Sequence, residues 1–171
     1  MADVVDAATR SRMMAGIGGR DTKPERLVRK GLHARGLRYV LGGAGLPGKP
    51  DIVLPGRQVA IFVHGCFWHN HQCHLSKLPA SNRPFWENKL TTNQSRDTVA
   101  LISLLSAGWR VATVWECATR GKSAISNLDA AIDQIVDWIR SKPADMTFEL
   151  PVHPETRPSA ISTKRQIDSP D

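Results

Sequence analysis

The alternation of apolar and polar positions predicts two helices in the first part of the chain. Residues 5–18 favour a short helix that ends at the glycine pair 18–19. Thr22 and Glu25 have the spacing of a capping box, and the apolar positions that follow them recur at helical intervals. We therefore predict a second helix that begins after Thr22 and ends at Gly36, because glycine favours the turn that terminates a helix.

The middle of the chain alternates strand-like and helix-like patterns. Two short apolar runs, 51–54 and 58–64, flank a Pro-Gly turn and predict a hairpin. Residues 65–83 have no apolar period and predict a loop. The remaining predicted elements are a helix from Pro84 to about Gly108, a strand at 109–115 and a helix at 123–140. This order predicts the α/β class, with a mixed central sheet flanked by helices.

The composition changes beyond Lys142. Five of the eleven prolines lie in the last thirty residues, and no apolar period continues there. Such a composition is typical of a disordered segment. We therefore divide the chain into one folded domain, residues 1–141, and a disordered tail, residues 142–171.

The charge of the chain is distributed unevenly. Residues 10–122 contain 18 basic and 6 acidic side chains, a balance of +12, whereas residues 123–171 contain 5 basic and 8 acidic ones, a balance of −3. A basic body favours a polyanionic partner such as DNA, although a solvated basic face is the alternative. The sequence has no apolar run long enough for a membrane span and no secretory signal pattern at its start, so we expect a cytoplasmic protein.

A dense group of cysteines and histidines indicates a metal site. Residues 64–74 contain six of them, and Cys117 follows the strand predicted at 109–115. Three cysteines are too few for a disulfide scaffold, but thiolates with one imidazole form closed zinc sites. Spacing leaves the imidazole ligand open between His69 and His71, and the alternative is that these are ordinary buried cysteines and exposed histidines.

Two further features suggest chemistry on DNA. Asp51 begins one strand, and the next strand leads into the histidine group, so a carboxylate for magnesium and an imidazole for proton transfer should lie together. A turn-forming aspartate is the alternative. The aromatic pair Phe67-Trp68 lies inside the predicted metal loop, where it could wedge between base pairs. For Phe85, at the start of the following helix, we predict a core position.

Several segments resemble the very-short-patch repair (Vsr) mismatch endonucleases over roughly residues 1–140. They are MADVVDAATRSRMM, RDTKPE, LPGKPDIV, IFVHGCFWHNHQCH, FWENK, RD at 96–97 and GWRVATVWECATRG. The resemblance implies a fold similar to type II restriction endonucleases and an N-terminal DNA-contacting helix within residues 1–20. It also implies magnesium-dependent nicking of duplex DNA on the 5′ side of the thymine in a T:G mismatch, of the kind that arises when 5-methylcytosine deaminates.

The resemblance assigns a role to each matching site residue. It implies that Asp51 binds magnesium together with the backbone carbonyl of Val63, and that His69 activates the attacking water. The supporting polar residues near the scissile phosphate are Glu25, His64 and Asp97. The structural zinc ligands are Cys66, His71, Cys73 and Cys117. The residues that approach the mismatched DNA are Met14, Phe67, Trp68 and Trp86.

These features lead to one preferred function and two alternatives. We expect a monomeric nicking endonuclease of mismatch repair that is associated with the nucleoid, with other repair proteins as possible partners. The first alternative is a non-catalytic, zinc-stabilised DNA-binding module. The second is a restriction-like enzyme that cuts an intact site.

Overall fold

A computed structural model describes residues 9, 19–120, 124–141 and 145–151 of the chain. Apart from residue 9, the helix predicted at 5–18 lies outside the described residues, and so does Met14. Residues 152–171 of the predicted tail also lie outside them. Among the described residues, no helix is both long and apolar enough to cross a lipid bilayer.

The first described helix, α1 (Lys23–Ala34), begins where the capping box predicts. The Thr22 hydroxyl accepts a hydrogen bond from the Glu25 backbone N–H at 3.4 Å, and the Glu25 carboxylate accepts one from the Thr22 N–H at 3.3 Å. These two bonds satisfy N–H groups that a helix start otherwise leaves unpaired. Gly36 has a φ of +80°, as the predicted helix end requires.

A five-stranded mixed sheet forms the centre of the molecule and confirms the predicted fold class. Its strands lie in sequence order, with β1 and β3 antiparallel to β2, whereas β3, β4 and β5 are parallel. The strands are β1 (Val40–Leu41), β2 (Ile52–Leu54), β3 (Val59–His64), β4 (Arg110–Trp115) and β5 (Thr147–Leu150). Two helices connect the parallel strands, α2 (Arg83–Ser106) and α3 (Ala124–Arg140).

The alternation of side chains along β3 separates the core into two layers. Val59 and Ile61 join a cluster that includes residues of α1 and α3, whereas Ala60 and Phe62 pack with α2 on the opposite face. All four side chains are buried. The sheet is therefore covered on both faces, which explains why its central strands have no polar alternation.

The prediction that residues 142–171 are disordered is wrong for the segment that forms β5. Thr147–Leu150 pairs in parallel with β4, and the side chain of Leu150 is buried. Four residues are too few to show a strand period between prolines, but the exposed edge of β4 supplies the hydrogen-bonding partners. The folded unit therefore extends at least to Leu150 and not only to residue 141.

The parallel strands end together and so determine where the site lies. His64 at the end of β3 is the register partner of Trp115 at the end of β4. The loops that follow both strands therefore start at the same edge of the sheet. Asp51, directly before the antiparallel strand β2, reaches the same edge.

Candidate functional site

Three cysteines and one histidine converge beyond the ends of β3 and β4. Cys66, His71, Cys73 and Cys117 each offer one ligand atom, and these atoms all lie within 4.8 Å of one another. The loop is shaped by its backbone, because His71 N–H donates to the Cys66 carbonyl at 2.9 Å and Cys73 N–H to the His71 carbonyl at 2.8 Å. Cys117 arrives from the short helical turn after β4, and its N–H donates to Cys66 Sγ at 3.3 Å.

The chemistry of this donor set fits a divalent zinc-like ion. Cys66 is completely buried, and burial raises the pKa of its thiol above the ordinary range. Burial also raises the pKa of Cys117 to about 11. A buried group of thiols with raised pKa values is poorly suited to hold thiolates on its own, whereas a bound ion supplies the positive charge that stabilises them.

A second group lies beside the first. The His69 imidazole and the Asp97 carboxylate are joined through Nδ1 and Oδ2 at 2.6 Å. The rings of His64 and His69 are stacked, with centroids 3.8 Å apart and planes within 2° of parallel. Burial lowers the pKa of His64 to about 3, and the neighbouring His69 acts in the same direction. His64 is therefore a neutral ring at physiological pH.

Asp51 lies at the mouth of the hairpin beside two other charged groups. Its Oδ2 accepts a hydrogen bond from the Val63 N–H at 2.7 Å. Burial raises the pKa of the Asp51 carboxyl to about 6, and the neighbouring Glu25 acts in the same direction, whereas the Val63 hydrogen bond and Arg29 oppose the rise. The charged form of a partly desolvated carboxylate is destabilised by a second carboxylate beside it, and a bound cation would offset that destabilisation.

Glu25 and Arg29 on α1 lie near Asp51 and are paired with each other. Glu25 is 3% exposed, and its carboxylate accepts from the Asp21 N–H at 3.0 Å and from Arg29 Nη2 at 2.7 Å. Arg29 also pairs with the Asp21 carboxylate. Arg29 is absent from the predicted site residues, although its position one helical turn after Glu25 is a signal for an ion pair.

Trp115 contacts both the cysteine group, through His71, and the histidine pair, through His64. It is likewise absent from the predicted site residues. Its ring stacks on His71 with centroids 4.3 Å apart and meets His64 edge-on at 5.4 Å. The indole Nε1–H donates to the Glu149 carboxylate on β5. A residue in the segment predicted to be disordered thus anchors the ring between the cysteine group and the histidine pair.

The aromatic residues form a surface cluster that differs from the prediction in one respect. Phe67 meets Trp68 at 5.2 Å and Trp86 at 5.3 Å between ring centroids, and Lys89 Nζ lies 5.4 Å from the Trp68 ring centre. Trp86 is 8% exposed, whereas Phe85 is 50% exposed. The core position predicted for Phe85 is therefore wrong, because the start of α2 directs Trp86 inward and Phe85 outward.

The structure brings seven of the candidate residues together in two groups. His71 lies with the three cysteines, and His69 lies with Asp97 and His64. Met14 is the one candidate that falls outside the described residues. All the others lie at one edge of the sheet, in the loop that follows β3, in the turn that follows β4, or on the helices α1 and α2.

Comparison with known proteins identifies the family. The sequence pattern of the family described as DNA mismatch endonuclease Vsr matches residues 2–75. The DNA mismatch endonuclease Vsr of Escherichia coli (strain K12) is 43% identical over 139 residues, which cover 81% of this chain and 88% of that protein. The chain belongs to the Vsr family.

Two further relatives of this Vsr family member are nicking enzymes by name. A type II nicking enzyme of Xanthomonas oryzae pv. oryzae is 40% identical over 80% of this chain and 98% of its own length. Another, of Neisseria meningitidis serogroup A, is 42% identical over 81% of this chain and 100% of its own length. In both cases the alignment covers nearly the whole length of the relative.

Proposed function

We propose that this chain is a DNA mismatch endonuclease that nicks the strand on the 5′ side of the thymine in a T:G pair. One observation carries the proposal: two pairs of residues lie at the same edge of the sheet. One pair is Asp51 with Val63, and the other is His69 with Asp97. Family membership and the names of the relatives support the nuclease class. The fold we infer is that of the type II restriction endonucleases.

The proposed cation site uses Asp51 and the backbone carbonyl of Val63. Magnesium prefers hard oxygen ligands, and when bound it would neutralise charge on the scissile phosphate. The carboxylate is held by the Val63 N–H, which leaves its second oxygen available. Glu25, fixed by Thr22 and Arg29, keeps a negative potential beside the site.

His69 is the proposed general base. Its Nδ1 faces Asp97, so the pair favours the tautomer with a proton on Nδ1 and leaves Nε2 as the acceptor. Nε2 accepts a proton from the attacking water as the water oxygen bonds to phosphorus, and the phosphorus–oxygen bond to the leaving strand end breaks. The neutral, half-buried ring of His64 stacks on the His69 ring and so helps to fix its orientation.

The cysteine cluster and the aromatic cluster have separate proposed roles. Cys66, His71, Cys73 and Cys117 would hold a structural zinc ion, which would stabilise the loop that carries His69. Phe67 and Trp68, with Trp86 behind them, form a wedge on that rigid base, and Lys89 over the Trp68 ring favours a nearby phosphate. Met14 would approach the same base pair from the N-terminal segment.

The function can be tested with strand-labelled duplexes that contain either a T:G or a T:A pair. We expect nicking of the thymine strand in the T:G duplex only, with magnesium, and none after addition of EDTA. Tight binding of the T:G duplex without cleavage would instead support the DNA-binding module. A double-strand break in the T:A duplex would instead support the restriction-like enzyme.

Replacing His69 by alanine should slow nicking by roughly 100- to 10,000-fold, which is the usual contribution of a positioned general base. The variant should still bind the T:G duplex, because His69 lies outside the cysteine group and the aromatic cluster. Single-turnover nicking rates measure the effect. The matched control is His74→Ala, which removes an exposed imidazole five residues away that belongs to neither ligand group. Equal rates for the two variants would contradict the role of His69.

The exposed face of α1 is the proposed contact for the DNA backbone. A shallow cavity of about 330 Å³ is lined by basic side chains and one aromatic ring. Its lining residues are Arg26, Arg29, Lys30, His33, Ala34 and Tyr39. Because Arg29 also touches Glu25, this basic face begins beside the proposed cation site.

Replacing Lys30 by glutamine should therefore weaken binding to T:G and T:A duplexes equally. The slope of log affinity against log salt should fall by about 1, as expected for one lost phosphate contact. Fluorescence anisotropy across a salt series measures the slope. Arg57→Gln removes the same charge from an exposed turn at the opposite end of β3 and should leave the slope unchanged. If the two variants had the same slope of log affinity against log salt, Lys30 would not be a specific phosphate contact, and the DNA would bind at a different surface.

A further inference from the structure

His64, His69 and Asp97 form a ligand group that is separate from the cysteine cluster. Each offers one ligand atom, and the three atoms lie within 4.8 Å of one another. The two rings are stacked 3.8 Å apart, and His69 Nδ1 lies 2.6 Å from Asp97 Oδ2. No residue is common to this group and to the cysteine group, so both could hold an ion at the same time.

The donor set favours a zinc-like ion over magnesium. Two imidazoles with one carboxylate are the protein ligands of open zinc sites, where solvent fills the fourth position, whereas magnesium prefers oxygen. Bonds of about 2.0–2.2 Å in a tetrahedron place ligand atoms about 3.3 Å apart. The ligand atoms, which lie within 4.8 Å of one another, must move by no more than about 1.5 Å to reach this separation. The two parallel rings must also tilt out of their stack, because a metal lies in the plane of each imidazole that binds it, and side-chain rotation can provide both changes.

The position of the group gives an ion access from solvent. The side chains of His69 and Asp97 are 24% and 33% exposed, so neither is sealed in the core. His64 is fixed by the end of β3 and Asp97 by the middle of α2. Two regular elements thus hold two of the ligands in place before an ion arrives.

We propose that this group is a second, exchangeable site for zinc-like divalent ions, and that its occupation inhibits nicking. An ion bound to His69 Nδ1 and Asp97 displaces the proton from Nδ1, and the neutral ring then carries its one proton on Nε2. Nε2 therefore has no free lone pair to accept a proton from the attacking water, which is the step proposed for His69. The inhibition rests on the proposed function, but the binding of the ion does not.

Cobalt(II) titration of the full chain tests the binding directly. Cobalt bound to cysteine thiolates has a sulfur-to-metal charge-transfer band, whereas cobalt bound by histidine and aspartate does not. With excess magnesium present to occupy the proposed Asp51 site, we expect two cobalt ions per chain, of which only one contributes the thiolate band. Asp97→Ala should lose the second ion and keep the thiolate band, since Asp97 does not belong to the cysteine group.

Asp51→Asn is the control for the proposed magnesium site. It should keep both cobalt ions, because Asp51 belongs to neither ligand group. Loss of the second ion in this variant, or its retention in Asp97→Ala, would overturn the proposed site. A single bound ion in the wild-type chain would overturn it as well.

The inhibitory half is tested by adding zinc to magnesium-supported nicking of the T:G duplex. The remaining rate should equal the fraction of chains that lack the second ion, and a chelator that prefers zinc over magnesium should restore it. Full activity with the second site filled would refute the inhibition. If the chain does not nick even without added zinc, the proposed function fails, while the cobalt titration still decides the site.

Discussion

Replacing Asp51 by asparagine should abolish magnesium-dependent nicking and, in metal-free protein, stabilise the fold. Asparagine keeps an oxygen that can accept the hydrogen bond from the Val63 N–H, but it removes the negative charge that the proposed magnesium site requires. Loss of a metal ligand at the reacting phosphate should reduce the rate by at least the roughly 100- to 10,000-fold expected for one positioned catalytic group.

The gain in stability follows from the electrostatics of Asp51. Its pKa rises to about 6 from an ordinary value of 3.8, mainly through burial and further through Glu25. The folded protein therefore holds this proton more tightly than the unfolded chain. Its stability falls as the pH rises from about 4 to about 6, and it stays lower above that window. At neutral pH, asparagine should restore on the order of 1–3 kcal/mol.

Two measurements separate this prediction from a merely structural effect. Thermal unfolding at pH 7.5 without metal should give a higher Tm for Asp51→Asn than for the wild-type chain. At pH 4 the difference should largely disappear. Asp137→Asn, on the exposed face of α3, is the matched control and should change neither Tm nor nicking by much. A lower Tm for Asp51→Asn would mean that its carboxylate stabilises the fold, which argues against a strained cation site.

Local sequence signals predicted the elements that carry the site. The capping box fixed the start of α1, and the Pro-Gly turn located the hairpin of β2 and β3. Both depend on neighbouring residues along the chain. Strand β5 could not be predicted in this way, since a four-residue segment between prolines is stabilised by its partner strand and not by its own pattern.

The separate positions of the histidines could not be predicted from local sequence, because they depend on contacts with residues far away along the chain. Spacing left His69 and His71 as equal candidates for the metal. In the fold, His69 turns toward Asp97, which is 28 residues away, whereas His71 turns toward Cys117, which is 46 residues away. Helical phase similarly decides that Trp86 is buried and Phe85 is exposed, and this phase depends on where α2 begins.

Replacing Cys117 by serine should release the proposed zinc ion and lower the stability of the whole domain. Binding of a structural zinc can contribute about 10–16 kcal/mol to the folding of small zinc domains, so even part of that contribution exceeds the effect of an ordinary substitution. Elemental analysis should find zinc in the wild-type chain and much less in the variant, and the Tm should fall by many degrees.

A chelator distinguishes loss of the ion from loss of packing. Treatment of the wild-type chain with a strong chelator should lower its Tm to that of Cys117→Ser, and the same treatment should leave the variant unchanged. His74→Ala, which removes an exposed imidazole next to the cluster, should retain the wild-type response to the chelator. If the variant destabilises the chain but the wild-type Tm ignores the chelator, Cys117 acts through packing alone.

The location of the cluster predicts a further consequence for activity. Cys66 and His71 bracket His69 within one short loop, and Trp115 contacts both His71 and His64. Release of the ion should therefore displace the His69 ring from Asp97 even where the sheet remains folded. At a temperature well below the reduced Tm, Cys117→Ser should nick slowly, and added magnesium should not restore the rate. Normal nicking by a zinc-free, folded variant would show that the loop holds His69 without metal.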